Sequence, residues 1–454
     1  MEGKAQMSVE TAPMEPGSTA WHAGLTRSHW RILGGSYLGW LFDGYETFAL
    51  VIVLPAALAT LLTAEQAGAS AIYAGVAIGM TLLGWGLGGL AGGVLADYFG
   101  RKRMMMISVF LYALFSGITA FSPNFAALIV LRFLTGIALG SEWSTGIALV
   151  AESWPDRARP KGLGFLQSAF GAGAFIAAGT WAVFSIFNPL GEETWRLMFI
   201  VGALPALFVL YLRRALEESQ QWLTAVRQRR WGAVEGEEFQ AEDNTSRPFT
   251  LTSVFRSTEG RRRVWLATSL SFAATTGWWA GSAWLPSYTE QLATAQGAAP
   301  GVWGPRISLI YTAGAVLAYL VSGFVADAIG RRRFLLMVFS GCLASAWLTF
   351  AVPWNISVFP LVAFIYGIFT LGFAYAWMAI YPVELFMPAV RASAASCIFN
   401  GARLVAWVFP IIAGTLVINF GGIVNAVLIM STIYALGLVV PWFLPETVGK
   451  PLPR

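Results

Sequence analysis

Long apolar runs, separated by short polar segments, follow one another along almost the whole chain of 454 residues. A helix that crosses the hydrocarbon core of a bilayer needs about 20 mostly apolar residues, because each residue adds only about 1.5 Å. The pattern predicts twelve such helices, at residues 30–55, 72–96, 104–121, 124–151, 162–187, 195–212, 264–289, 306–326, 334–352, 356–383, 393–419 and 422–444. The fold class that we predict is therefore an all-α membrane protein with two sets of six transmembrane helices.

Composition narrows the functional classes that remain. Hydrophobic residues make up 57% of the chain and charged residues only 12%, whereas a soluble domain has about 25% charged residues. The two histidines and two cysteines show no metal-binding spacing, and the sequence contains neither a dinucleotide-binding glycine fingerprint nor a P-loop. We therefore expect no catalytic residue, no metal and no cofactor, and we expect the lipid bilayer to surround the chain.

Lysine and arginine gather on one side of the predicted membrane. The other side holds little more than Arg196 and Arg306. Because basic residues are retained in the cytoplasm, we expect both termini there, in a multi-pass protein of the inner (plasma) membrane. The net charge of +5 then reflects this bias and requires no nucleic-acid partner.

A polar segment between the sixth and seventh runs divides the chain into two bundles. Rich in Arg, Glu and Gln, it is expected to contain a short amphipathic helix near 215–230. The predicted order is a cytoplasmic tail at 1–29, an N-terminal bundle at 30–212, a cytoplasmic linker at 213–263, a C-terminal bundle at 264–445 and a cytoplasmic tail at 446–454.

Short motifs at the ends of the runs occur twice. LADYFGRKR follows the second run, and VADAIGRRR follows the eighth. AESWPDRAR ends the fourth run, with Glu152 seven residues before Arg159. PVELFMPAVR ends the tenth run, with the same spacing from Glu384 to Arg391. Motifs in matching positions indicate a duplicated bundle, and such folds bind their substrate between the halves near mid-membrane.

The pattern G-x3-D-x2-G-R-[RK] within these repeats resembles the signature of the major facilitator superfamily. It occurs as Gly93, Asp97, Gly100, Arg101 and Lys102, and again as Gly323, Asp327, Gly330, Arg331 and Arg332. RFLTGIALG at 132–140 is similar to the fourth-helix pattern of that superfamily. The resemblance implies two pseudo-symmetric six-helix bundles, transport by alternating access, and a monomer.

Further motifs resemble particular transporter subfamilies. ALEESQQWL at 215–223 and FLPETVGKPLP at 443–453 are similar to sugar-porter motifs. DGYE at 43–46 resembles the proton-coupled aromatic-acid symporters, whereas GSEW at 140–143 and ESWP at 152–155 resemble the sialate and lactate proton symporters. The resemblance implies uptake of a small organic anion together with protons, and a monocarboxylate is favoured over sialate.

Three alternatives stay open. The chain could be a proton-coupled exporter of drugs or metabolites, for which a neutral or cationic substrate would be the mark. It could be a sugar carrier, although the runs contain few neutral polar groups for sugar hydroxyls. A membrane enzyme or a sensor is the third, but the runs show no catalytic cluster and the linker is short for an output domain.

Three acids lie inside the apolar runs, where a charge is costly. Asp43 is about 20 Å along the first helix from Trp30, near the centre of a core about 30 Å thick. Glu46 follows on a nearby face, and two such acids cannot both ionise at low cost. We predict that this pair, with Glu142 in the fourth run, carries the coupled proton; structural pairing is the alternative. Arg132 either tunes that protonation or extends to the membrane interface.

Arg403 is the strong cation that the sequence places near mid-membrane in the C-terminal half, about 18 Å from Arg391. Its planar guanidinium binds a carboxylate through two hydrogen bonds, so we predict that it binds the substrate anion. A permanent pairing with a buried acid is the alternative. Polar and aromatic side chains either line the same site or fill helix interfaces, and the candidates are Tyr45, Gln167, Trp278, Trp279, Tyr375, Trp377 and Asn400.

Charged residues of the repeated loop motifs are predicted to close the cytoplasmic side. They are Asp97, Arg101, Glu152, Arg159, Asp327, Arg331, Glu384 and Arg391. Ties among them would hold that side shut in the outward-facing state and break when the halves rock. We therefore interpret these residues as conformational switches and not as substrate-binding groups.

Overall fold

The computed structural model describes residues 20–228, 232–235, 249–299, 302–409, 411, 416–417 and 419–453. The predicted N-terminal tail falls outside this part of the chain up to residue 19, as do residues 229–231 and 236–248 of the predicted linker. Within the described residues every regular element is a helix. The all-α prediction is confirmed.

The N-terminal half contains five long helices and one divided helix. They are α1 (Arg27–Leu61), α2 (Ser70–Phe99), α3 (Arg101–Thr119), α4 (Phe125–Ser153), α5 (Arg159–Phe187), α6 (Arg196–Gly202) and α7 (Pro205–Ala215). The last two share the sixth predicted run, and Pro205 begins α7, where its missing N–H has no intrahelical partner to lose. Two short helices follow, α8 (Gln220–Arg227) and α9 (Thr250–Arg256), and α8 lies within the predicted amphipathic segment.

The C-terminal half repeats this order with more interruptions. A π-helical turn, Ile368–Phe373, lies between two of its helices, and short 3-10 turns carry its last helix to Phe443. The helices are α10 (Thr258–Ser282), α11 (Leu285–Ala295), α12 (Trp303–Ile329), α13 (Arg331–Ala351), α14 (Phe359–Gly367), α15 (Ala374–Ile380), α16 (Arg391–Gly401), α17 (Arg403–Ala406), α18 (Ile423–Ser431) and α19 (Leu436–Val439).

Eight helical stretches of the described chain are long and apolar enough to cross a membrane. The other predicted runs correspond to α3, to the divided pairs α6–α7 and α10–α11, and to 393–419, where the structure describes α16 and α17. Helix α3 begins at Arg101, three residues before the predicted run at 104–121, because an apolar window excludes a charged first turn. The domain boundaries drawn from the sequence stay predictions.

Glycines set the closest helix contact of the N-terminal half, between α2 and α4. Gly84 and Gly88 lie one turn apart on α2 and face the backbone of α4. A Cβ atom at Gly88 would lie 2.0 Å from the carbonyl oxygen of Ile137, and one at Gly84 would lie 2.2 Å from that of Phe133. Only glycine permits this approach, which presses the two helices together along their length.

The two halves meet along two pairs of helices. Helix α2 packs against α16, and α5 packs against α12. On the first contact Ser396 donates a hydrogen bond of 2.5 Å to the carbonyl oxygen of Gly89. On the second contact Gly323 lies directly against the backbone of Pro160. The interior between these pairs is where side chains of both halves come together.

Candidate functional site

Arg403 lies in the interior at the start of α17. Its side chain is buried, and its Nη1 donates a hydrogen bond of 2.7 Å to the carbonyl oxygen of Phe399. The guanidinium carbon lies 3.8 Å from the centre of the Phe399 ring and 5.0 Å from that of Trp85, so the cation rests on two aromatic rings. Among the described residues no carboxylate forms an ion pair with Arg403.

Five aromatic rings form a continuous layer beside this cation. The aromatic layer consists of Trp40 on α1, Trp85 on α2, Trp143 on α4, Phe170 on α5 and Phe399 on α16. Trp143 and Phe399 are stacked, with ring centres 3.5 Å apart, and Trp40 is stacked on Phe170 at 4.9 Å. The indole Nε1 atoms of Trp40 and Trp85 are buried and have no acceptor among the described residues. The layer therefore joins both halves and presents unused hydrogen-bond donors.

Gln167 connects the aromatic layer to the C-terminal half. Its Oε1 accepts a hydrogen bond of 2.9 Å from Nε1 of Trp143, and its Nε2 donates one of 3.1 Å to the carbonyl oxygen of Tyr375. The Tyr375 ring lies 6.5 Å from that of Phe399 and 5.7 Å from that of Trp278. Three of the predicted lining residues, Gln167, Tyr375 and Trp278, thus extend from the layer, and Trp279 contacts Trp278 at 4.8 Å.

Asn400 lies next to Arg403 but is turned toward α2. Its Nδ2 donates a hydrogen bond of 2.9 Å to Ser396. A Cβ atom at Gly89 would lie 2.1 Å from that nitrogen, so the amide is packed on the α2 backbone. Its Oδ1 has no donor among the described residues and is the part of the side chain left to bind a ligand.

Two predicted lining residues lie elsewhere. The hydroxyl of Tyr45 donates a hydrogen bond of 3.0 Å to the carbonyl oxygen of Met198, and the ring packs in the cluster around α6. Five residues advance a helix by about 140°, which turns position 45 away from Trp40 and the aromatic layer. Trp377 is fully buried in the C-terminal half, where its ring centre lies 6.3 Å from that of Phe339.

Glu46 and Arg132 form a buried ion pair between α1 and α4. Nη1 of Arg132 lies 2.6 Å from Oε1 of Glu46, and both side chains are 1% exposed. Nη2 of Arg132 donates to Thr119 at 2.7 Å, and Ser116 donates to Oε2 of Glu46 at 2.8 Å. The option that Arg132 extends to the interface is therefore wrong, because its partners hold it inside the bundle.

Asp43 faces Glu142 of α4. Both are buried, and the Glu142 carboxyl group lies against α1 one turn before Asp43, close enough to Asp43 for a side-chain hydrogen bond. None of their four oxygens accepts a hydrogen bond from a described residue. The sequence paired Asp43 with Glu46, three residues along the same helix. The two side chains leave α1 in different directions, so each of them meets a different residue of α4.

The same ion-pair arrangement occurs in both halves near α8 and the C-terminal residues 444–453, on what we call the linker side. In the N-terminal half Arg101 lies 3.1 Å from Asp97 and 3.2 Å from Glu152. In the C-terminal half Arg331 lies 2.8 Å from Asp327 and 2.8 Å from Glu384. The repeated motifs therefore build one charge network twice.

Several contacts of this network cross between the halves. Nη1 of Arg391 lies 3.0 Å from Oε1 of Glu152, and Nη2 of Arg101 donates to the carbonyl oxygen of Pro388 at 2.6 Å. The backbone N–H of Ser393 donates to Asp97 at 2.9 Å. A further ion pair joins Lys161 to Asp327. The linker side is therefore closed.

Among the described residues Arg159 forms no direct ion pair with the C-terminal half, although it interacts electrostatically with Glu384 and Asp327. Its guanidinium pairs with Asp156, three residues earlier, and donates to the carbonyl oxygen of Ala151 at 3.2 Å. Both partners belong to the N-terminal half, whereas Lys161, which the sequence-based prediction omitted, forms one of the ion pairs that cross between the halves.

Two further residues in each half were missed from the sequence. Oε1 of Glu218 accepts from the backbone N–H of Arg101 at 2.9 Å, and Oε1 of Glu446 accepts from that of Arg331 at 2.8 Å. Each glutamate thus caps the first turn of a helix. The next residue in each case, Ser219 or Thr447, donates its hydroxyl to Glu152 or Glu384. The signal was present, since ALEESQQWL and FLPETVGKPLP both contain Glu followed by a hydroxyl residue.

Duplicated helical bundles that meet around a buried polar site and are tied together on one side define the architecture of a secondary transporter. The model of the family described as "Sugar (and other) transporter" matches residues 36–454. The chain belongs to this family, so it is a multi-pass membrane transporter of the major facilitator superfamily and not an enzyme. The prediction of twelve transmembrane helices in two bundles agrees with this fold.

Relatives and a solved structure agree with this assignment. The chain is 28% identical to a probable 4-methylmuconolactone transporter of Cupriavidus pinatubonensis, with 95% of this chain and 94% of the relative covered. It is 27% identical to a cis,cis-muconate transport protein of Acinetobacter baylyi, with 82% and 85% covered. The proton:xylose symporter XylE, bound to 6-bromo-6-deoxy-D-glucose, has a TM-score of 0.73 at 20% identity, with 93% and 97% covered. At that identity the last match establishes the fold alone.

Proposed function

We propose that this transporter takes up a small organic anion, with a monocarboxylate favoured, together with protons across the inner membrane. Arg403 carries the proposal. It is a buried cation on two aromatic rings, and no carboxylate pairs with it among the described residues. A buried charge without a partner is costly, so the site favours an anion that enters from solution.

The groups around Arg403 suit a carboxylate. A guanidinium binds the two carboxylate oxygens in parallel, and the free indole N–H groups of Trp40 and Trp85 can only donate hydrogen bonds. The aromatic layer offers flat apolar faces for the rest of the molecule. A sugar would leave the cation unpaired, which favours an acid over a sugar. The muconate and methylmuconolactone named for the two relatives are consistent with this class of substrate.

The buried acids of the N-terminal half support proton coupling. Asp43, Glu46 and Glu142 accompany a single buried cation in the same helices, Arg132, so the carboxylates outnumber their cations. In the proposed cycle a proton enters from the side opposite the linker, the anion pairs with Arg403, and the halves rock about the neutralised site. The linker side then opens to the cytoplasm, where both termini lie, and one monomer completes the cycle.

The proposal is tested with purified protein in liposomes that contain a pH-sensitive dye. Lactate, benzoate, cis,cis-muconate, a sialic acid and glucose are added in turn, beside protein-free liposomes that measure passive diffusion of undissociated acids. We expect protein-dependent acidification with one or more of the acids and none with glucose. Acidification with glucose alone would favour a sugar carrier, and no proton movement with any compound would favour an exporter or a uniporter.

Replacement of Arg403 tests the anion site itself. Arg403→Ala removes a charged hydrogen-bond donor worth about 3 kcal/mol, so the half-saturating concentration of the transported acid should rise about 100-fold. Arg306→Ala is the matched control, because that arginine is exposed beside Trp303 and should leave transport unchanged. An unchanged affinity in the Arg403 variant would contradict the assignment.

A further inference from the structure

We infer that Asp43 and Glu142 together form a site for one proton, and that Gly39 positions the two carboxyl groups. The inference rests on the proposed proton coupling and assigns it to one place in the structure. Glu46 lies near this site and interacts electrostatically with Asp43, but its own carboxylate is already paired with Arg132.

The burial and the unpartnered oxygens of the two carboxyl groups suit a shared proton. Asp43 is fully buried and Glu142 is 1% exposed, and none of their oxygens accepts a hydrogen bond from a described residue. Two carboxylates cannot donate to each other, so they form a hydrogen bond only when one of them carries a proton. Like charges at such a distance in a dry interior favour a single proton held between both groups.

Among the described residues, the titratable groups nearest the pair are an acid and a hydroxyl, and the buried cation of the same two helices, Arg132, is already paired with Glu46. From α1 the neighbouring charge is Glu46, and from α3 it is the buried hydroxyl of Tyr112, which interacts electrostatically with Asp43 and Glu142 and has no hydrogen-bond partner among the described residues. Residues 74–96 of α2 and 162–187 of α5 contain no titratable side chain. The positive charge that neutralises the two carboxyl groups must therefore come from solution.

A proton suits this site better than a metal ion does. Structural zinc takes four ligands and calcium six to eight. Here the side chains that converge are two carboxyl groups and one hydroxyl, and the described residues contain no group of three or more candidate metal ligands. A proton needs only the two facing oxygens.

Gly39 leaves the space that the Glu142 carboxyl fills. It lies one turn before Asp43 on α1, and a Cβ atom there would lie 2.3 Å from Oε1 of Glu142. An alanine at this position must displace the carboxyl group. Gly146, one turn after Glu142 on α4, offers a matched control, because a Cβ atom there would lie 3.6 Å from the same oxygen, an ordinary contact.

The pair is joined to the anion site by the helices that carry it. Trp40 lies three residues before Asp43, and Trp143 directly follows Glu142. Both indoles belong to the aromatic layer, in which Phe399 supports the guanidinium of Arg403. A change in the spacing of the two carboxyl groups therefore moves side chains that reach the anion site.

The test compares two transport modes in liposomes, with benzoate or whichever acid the wild-type protein transports. A pH gradient of one unit drives about tenfold accumulation when one proton accompanies each anion, since one unit is a factor of ten in proton activity. We expect Asp43→Asn and Glu142→Gln to lose this accumulation but to keep exchange of labelled anion without a gradient. The amides resemble the protonated acids in shape, and retained exchange demonstrates that the variants are folded.

The glycine variants add a second, independent measurement. We expect Gly39→Ala to change the pH dependence of transport and Gly146→Ala to leave it unchanged. The inference is overturned if Asp43→Asn and Glu142→Gln accumulate the anion as the wild type does, or if a sodium gradient replaces the pH gradient. Failure of the wild-type protein itself to accumulate the acid would overturn the proposed symport instead, which separates the two outcomes.

Discussion

The two halves of the molecule share their linker-side charges and differ in their membrane interior. On the linker side each half contains the same Asp–Arg–Glu network with a capping glutamate behind it. In the interior the N-terminal half holds Asp43, Glu46 and Glu142 with Arg132, whereas the C-terminal half holds Arg403 without a described carboxylate beside it. The repeated residues thus form the linker-side contacts, and the unrepeated residues are the candidates for binding ions of opposite sign.

The largest effect should come from breaking the interior ion pair of the N-terminal half. Arg132→Ala leaves Glu46 buried without its partner, which should lower the folding stability by about 3–5 kcal/mol. Adding Glu46→Gln removes the stranded charge and should restore most of the loss. Thermal unfolding of the purified protein measures both variants. Arg403→Ala is the comparison, because no acid of the described residues pairs with Arg403, and an equal loss in that variant would contradict the contrast between the halves.

A smaller effect is expected from one contact between the halves. Glu152→Gln weakens the tie from Glu152 to Arg391 across the halves. The direct contacts that Glu384→Gln weakens, with Arg331 and Thr447, lie within the C-terminal half, and only a longer-range attraction to Arg159 crosses between the halves. If the closed state loses about one or two kcal/mol, the population of the open state should rise about 5- to 30-fold. The labelling rate of Cys397 should rise by the same factor. Cys397 is 8% exposed near the interface.

Labelling is followed by mass spectrometry of the Cys397 peptide with a thiol reagent. The buried Cys342, in the core of the C-terminal half, should keep its labelling rate and serves as the internal control. Equal acceleration by the two glutamine variants would show that the network does not distinguish crossing contacts from local ones.

The smallest effect concerns the two capping glutamates. Glu218→Ala and Glu446→Ala should each cost about 1 kcal/mol of stability, because each removes an acceptor from the first turn of a helix. Burial alone would raise the pKa of Glu446, but hydrogen bonds from the backbone N–H groups of Arg332, Arg331, Val448 and Thr447 outweigh it and lower the pKa.

The pH dependence of that effect has a fixed sign. Because the pKa of Glu446 is lower in the folded state, its contribution is present above the unfolded-state value of about 4.3 and is lost as the pH falls through the folded-state value. Melting temperatures of wild type and Glu446→Ala should therefore differ at pH 7 and converge in acid. A constant difference would mean that the carboxylate charge contributes nothing.

Sequence reasoning was strongest where the information is repeated along the chain. Apolar runs and the duplicated GRK and GRR motifs predicted the helices and the two halves. A comparison of the two halves could also have identified the matching glutamates Glu218 and Glu446. The contacts of the buried acids could not be predicted in this way. Spacing on α1 shows that Asp43 and Glu46 are neighbours, but it does not show which residue of α4 each one contacts. The aromatic layer was missed because 20 tryptophans and 32 phenylalanines supply no signal that separates its members from packing residues.

The stack of Trp143 on Phe399 has a mechanical consequence. One ring belongs to α4 and the other to α16, with centres 3.5 Å apart and planes inclined by 14°. Interlocked side chains must separate before two surfaces can shift, whereas flat rings keep much of their dispersion attraction while one slides over the other. The stacked rings of Trp143 and Phe399 can therefore stay in contact while the two bundles rotate against each other.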